Sequence, residues 1–138
     1  MEPLAALINR KLMLPSQKTN YMAVEMHYLS HAMRDQVGKI FVDEEWYAAK
    51  HPDVLLAIKE GKIETVSEHY ILYGYYEHRM PYLIEVDDAW YLDEYEDIAR
   101  AIKAGTFASG QAHFEIAGYR EGRIPYAHFR LRLRDDGT

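Results

Sequence analysis

Apolar residues in this chain fall into short groups with helical spacing, and most groups end at a glycine or proline. Leu4–Leu12 reads as a short amphipathic helix, which Pro15-Ser16 breaks from the next element. From Asn20 to Val37, Tyr21, Val24, Tyr28, Leu29, Ala32 and Met33 form a broad apolar side, with Asn20 as cap and Gly38 as end. Shorter helices follow. Val54, Leu55 and Ile58 share an expected face behind Pro52, which suits a first helical turn. Val66, His69-Tyr70 and Tyr73 share another behind Thr65–Glu68, a capping-box signature. Near the end the period changes. Phe129, Leu131 and Leu133 alternate with Arg130, Arg132 and Arg134, a spacing of two that fits an extended or β-like tail.

The short helices occur twice. Val42–Tyr82 and Val86–Tyr126 align without a gap at a shift of 44 residues. Asp43 and Trp46-Tyr47 match Asp87 and Trp90-Tyr91, and Asp53 matches Asp97. His69 matches His113, Gly74 matches Gly118, and Arg79 matches Arg123. Coincidence at so many chemically distinctive positions is a poor explanation, so the reading is duplication. Asp43 and Asp87 are expected N-caps. Gly61 and Gly105 are expected to end the second helix of each copy in a left-handed conformation, and Gly74 and Gly118 to end the third. Ser109 replaces Thr65 as a cap, but Ala112 stands where the box would need Glu68, so the second copy looks less well capped.

The predicted fold is therefore all-α: a short-helix tandem repeat with an N-terminal packing helix and an extended or β-like C-terminal tail. Its divisions are an N-terminal arm (1–19), a packing helix (20–38), repeat one (42–82), repeat two (86–126) and a tail (127–138). With 138 residues, 49% of them apolar, the chain is large enough for one modest core. The net charge of −6 argues against a general nucleic-acid binder. Without cysteine there is no disulfide or thiolate chemistry. No apolar run has the length of a membrane span, and Met1–Met13 lacks the charge order of a signal peptide. The expected location is cytoplasmic.

The duplicated segment resembles a bacterial helical repeat found beside or inside glycosyltransferases and other surface-polysaccharide proteins. The resemblance rests on Trp46-Tyr47 and Trp90-Tyr91, on His51-Pro52-Asp53-Val54, and on His69-Tyr70 and His113-Phe114. It rests also on the endings Gly74–Pro81 and Gly118–Pro125. His78 departs from the ending by replacing its glycine, and Glu96-Asp97-Ile98 lacks the proline of the middle step. The resemblance implies a repeat without a catalytic centre, in a process of polysaccharide production.

The candidate residues divide accordingly. Asp43, Trp46, Asp53, His69, Gly74 and Arg79 in the first copy, with Asp87, Trp90, Asp97, His113, Gly118 and Arg123 in the second, are assigned structural roles. His69 and His113 suit a bond between helices better than a metal site, and Arg79 and Arg123 are placed to pair with Asp53 and Asp97. His27 and His31 alone supply too few ligands for a metal. No catalytic, cofactor-binding or metal-binding residue is assigned, and no enzyme activity or cofactor is expected. Twelve tyrosines and two tryptophans suit contact surfaces. Tyr75, Tyr76, Tyr119 and Arg120, just beyond the helix-ending glycines, are the expected partner-binding residues. The expected function is a non-catalytic adaptor or regulatory protein that binds another protein. The alternative is a carbohydrate-binding module that uses exposed aromatic residues. Self-association into a homo-oligomer is also admitted.

Overall fold

The computed structural model describes residues 1–5 and 33–135, and among these it is all-α, without a sheet. The expected helices over Leu4–Leu12 and Asn20–Val37 lie largely outside the described residues, as does the His27–His31 pair. Residues 33–37 are helical and stop at Gly38, whose N–H donates to the Arg34 carbonyl. Then come α1 (Glu44–Lys50), α2 (Pro52–Lys59) and α3 (Val66–His69), the last continuing as a π-helical turn over Tyr70–Gly74. The second copy gives α4 (Asp88–Glu94), α5 (Glu96–Lys103) and α6 (Gly110–His113), with a π turn over Phe114–Gly118.

Side-chain caps start these helices. Asp43 accepts from the Trp46 N–H and Asp87 from the Trp90 N–H, both at 3.1 Å. Thr65 accepts from Glu68 N–H and Ser109 from Ala112 N–H, each at 3.0 Å. The Glu68 carboxylate bonds the N–H of Glu64 rather than that of the cap, so the box is displaced by one residue. The second copy is not short of caps. A carboxylate on the preceding first helix reaches across in both copies, Glu44 to the Ser67 N–H and Asp88 to the Gln111 N–H. The shorter Asp88 faces Gly110, where a β-carbon would strike its carboxylate; the longer Glu44 goes with Val66.

The helix ends differ from expectation in one respect. Gly61 and Gly105 have φ of 74° and 82° and end α2 and α5 as expected. Lys62 N–H donates to Ala57 and Gly61 N–H to Ile58, with the same pair of bonds at Thr106 and Gly105. Gly74 and Gly118 end their π turns, but not by reversing the backbone: Tyr75 and Tyr119 remain right-handed. The left-handed residues come four positions later, His78 at 61° and Gly122 at 80°. The π turn also corrects the expected face of the third helix. Its five-residue step brings Gly74 and Tyr75 beneath Tyr70, so Tyr75 is 1% exposed and Tyr73 is 49% exposed. On α2, Val54 is buried and Ile58 packs beside it, whereas Leu55 lies a third of a turn round and is 53% exposed.

Each copy closes on itself: Asp43 N–H donates to the Pro81 carbonyl and Asp87 N–H to that of Pro125. The tail is extended but forms only one antiparallel bridge, Ile40 with Leu133. Phe129 and Leu131 are buried as the alternation predicts, and Leu133 is not. Its arginines are engaged by the protein. Arg130 pairs with Glu2 at 3.3 Å, and Arg132 lies 4.5 Å from the Phe41 ring.

Tyr75 and Tyr119, expected at the surface, are core residues. The Tyr75 hydroxyl donates to the Glu2 carbonyl at 2.7 Å. Tyr119 is 5% exposed and lies among Tyr47, Tyr70, Tyr75 and Tyr82 of the first copy. Burial pushes its phenol far above the ordinary tyrosine pKa. Replacing Tyr119 by Ala is expected to cost about 3–5 kcal/mol, the range for a buried aromatic residue, as read by urea denaturation.

Candidate functional site

The conserved chemistry of the two copies is directed inward. Tyr47 Oη lies 3.0 Å from His69 Nδ1, and Tyr91 Oη lies 2.8 Å from His113 Nδ1. All four residues are buried. Burial lowers both histidine pKa values, helped at His69 by the Arg79 charge and opposed at His113 by Glu121. It raises both tyrosine pKa values. A protonated phenol and a neutral imidazole fit a bond from Oη–H to Nδ1, with the ring proton on Nε2. In the second copy Nε2 faces Glu121 at 3.7 Å.

The glycines at the ends of the π turns make room for this bond. A β-carbon on Gly74 would run into the Tyr47 hydroxyl, and one on Gly118 into that of Tyr91. The expected pairing of arginine with the middle helix is present in both copies. Arg79 bonds both oxygens of Asp53 at 3.0 and 2.9 Å, and Arg123 both oxygens of Asp97 at 3.0 and 2.7 Å. Arg79 also bonds Glu77, and Arg123 bonds Glu121. Hydrogen bonding to the guanidinium holds both aspartates below the ordinary carboxylate pKa. The carboxylates are mostly solvent-exposed, which limits each bridge to roughly 1 kcal/mol or less.

A cleft of about 140 Å³ opens between the two copies. The first copy lines it with Trp46, Lys50, His51, His78, Arg79 and Met80. The second contributes Glu115, Ile116, Tyr119 and Arg120. Lys50 Nζ lies 3.8 Å from Glu115 and 5.9 Å from the centre of the Trp46 ring. Burial lowers the pKa of His51, followed by the charge of Arg79; for His78 burial is followed by Arg120. The equivalent of His51 is Tyr95, whose hydroxyl instead accepts from the Ile124 N–H at 3.0 Å.

Of the expected partner-binding residues, Arg120 is exposed and lines this cleft, and Tyr76 is half-buried against the Tyr75 ring. Tyr75 and Tyr119 are withdrawn from any outer surface. Lys50, His51, His78 and Glu115 were not anticipated. The signal that could have found them is the difference between copies: they align with Glu94, Tyr95, Gly122 and Ile71. Among the described residues no group of three or more His, Asp or Glu could hold a metal ion, and no helix is long and apolar enough to cross a membrane. Comparison of the chain with protein families, curated proteins and solved structures gave no match.

Gly74→Ala and Gly118→Ala are each expected to destabilise the fold by about 1–3 kcal/mol, the usual cost of overpacking, as measured by denaturant unfolding. The buried histidines also set a pH dependence. Their folded-state pKa values lie below that of the unfolded chain, near 6.5, so the unfolded chain takes up protons first as the pH falls. This stability is complete above about pH 6.5 and declines as the pH drops towards the folded-state values. The melting temperature should fall as the pH drops below about 6.5, less steeply in a His69→Gln/His113→Gln double variant.

Proposed function

We propose that the protein is a non-catalytic adaptor or regulatory protein: a tandem helical repeat that binds a protein partner, within the surface-polysaccharide process that the sequence resemblance implies. A cytoplasmic location goes with this reading. The carrying observation is a difference in residue type at equivalent, solvent-accessible positions. Leu55 and Leu56 on α2 are 53% and 55% exposed, and Tyr73 is similarly open. The second copy places Ala99, Arg100 and Ala117 at these positions. The first copy therefore carries large apolar side chains in water that the repeat does not need for its fold, and apolar surface of this kind favours association. The polar residues shared by the copies support the reading from the other side. The Tyr–His bonds are buried and the Arg–Asp bonds are made within each copy, which suits a scaffold.

The test exchanges the three residues for their second-copy equivalents, as Leu55→Ala/Leu56→Arg/Tyr73→Ala. Affinity capture from the native lysate would be run with both proteins after circular dichroism has shown the variant folded. The expected outcome is a partner recovered with the wild-type chain and lost with the variant. Undiminished recovery with the variant would remove this surface from the proposal. Sedimentation of the pure protein distinguishes a second copy of the chain, which would give a concentration-dependent dimer that the variant lacks.

A further inference from the structure

The cleft between the copies is built largely from positions at which the copies differ. Lys50 stands where the second copy has Glu94, and His78 where it has Gly122. On the facing side, Arg120 stands where the first copy has Tyr76. Each exchange puts a basic side chain into one small space of a chain whose net charge is −6.

His78 is the most telling of them. Its φ of 61° is a left-handed value that side chains with a β-carbon adopt at a penalty, and the second copy uses glycine there. His128 has the same φ away from the cleft, so what marks His78 is its place among the lining residues, where the second copy has no side chain. Arg120 is exposed and, among the described residues, makes no ion pair. The other charges are balanced: Arg79 by Asp53 and Glu77, and Lys50 by Glu115. Among the described residues, Arg120 is therefore the one cation of the cleft without a carboxylate partner. Trp46 adds an aromatic surface, and two imidazoles and a carboxylate add donors and acceptors. The cleft, about 140 Å³ and open to solvent, seats part of a single ring and leaves the rest in water.

We propose that this cleft binds a carboxylated sugar ring, with Arg120 on the carboxylate, Trp46 against the ring face, and His51, His78 and Glu115 on the hydroxyls. The guanidinium of Arg120 suits a carboxylate. A phosphate dianion would face Glu115, and an aromatic acid would leave the imidazoles without hydroxyl partners. A free sugar acid and the end of an acidic glycan present the same ring. The inference does not depend on the protein-binding surface of the first copy.

The experiment uses the full chain carrying Trp90→Phe, which leaves Trp46 as its sole tryptophan. Galacturonate, galactose, acetate and trigalacturonate are titrated against Trp46 fluorescence, with calorimetry in parallel. Galacturonate should give a saturable change, with galactose and acetate at least about tenfold weaker, because each lacks half of the recognition. Arg120→Ala should weaken galacturonate binding about tenfold or more, the loss expected when a carboxylate forfeits its charged partner. His78→Gly supplies the second variant. It should raise the melting temperature by about 2–4 °C while weakening binding, because it removes strain and a ligand contact together. Tighter binding of trigalacturonate than of galacturonate would identify the glycan end as the source, and equal binding the free acid. No saturable signal, or equal affinity for galactose and galacturonate, would overturn the proposal. A stabilised His78→Gly chain with unchanged affinity would remove His78 from the site.

Discussion

The hydrogen bond between a tyrosine on the first helix of each copy and a histidine on the third is the constraint to which the neighbouring parts conform. Burying a phenol and an imidazole is unfavourable unless each satisfies the other, so the two helices must meet at one distance and one angle. Gly74 and Gly118 are dictated by that geometry, since a methyl group at either would occupy the place of the hydroxyl. The five-residue turn that contains each glycine follows the same path. It delivers the next residue, Tyr75 or Tyr119, into the core rather than into water. Tyr119 then packs among first-copy tyrosines, which links the two halves of the chain through residues of one type.

With its shared polar residues committed internally, the protein differs from one copy to the other mainly where the fold is indifferent. Apolar Leu55, Leu56 and Tyr73 are found on one copy only, and basic residues converge where the copies meet. The ungapped alignment of the two segments makes such differences readable. Each position has an internal control, and a residue that departs from its equivalent without serving the fold has been released to do something else. His78 shows this most clearly, because its departure works against the backbone conformation that its position requires.

Much of the architecture was legible in the sequence because it is local. The Asp43, Asp87, Thr65 and Ser109 caps and the left-handed Gly61 and Gly105 follow from residue type and short spacing, whereas the pairing of Arg79 with Asp53, 26 residues apart, was suggested by its recurrence as Arg123 and Asp97. The π turns were not legible, because nothing in YILYG or FEIAG distinguishes a five-residue step from a four-residue one. That single change of step inverted the expected exposure of Tyr73 and Tyr75, and with it the choice of binding residues. The cleft was hidden for a different reason: its lining comes from three segments spread over some seventy residues of the chain. Of its lining, Tyr119 and Arg120 were singled out from sequence as binding residues and Trp46 and Arg79 as structural ones, each for its place in the repeat rather than for its partners in space.

The carboxylates that cross from the first helix to the third carry a consequence for how the copies diverged. Glu44 goes with Val66, and Asp88 with Gly110. A valine introduced at Gly110 alone would collide with the Asp88 carboxylate, and restoring it requires the opposite position to change as well. The two sites are therefore epistatic: what one tolerates is decided by what the other holds. Residues that align perfectly between the copies can still be non-interchangeable one at a time. A chimera that joined the first helix of the second copy to the third helix of the first would set Asp88 against Val66 and meet the same collision.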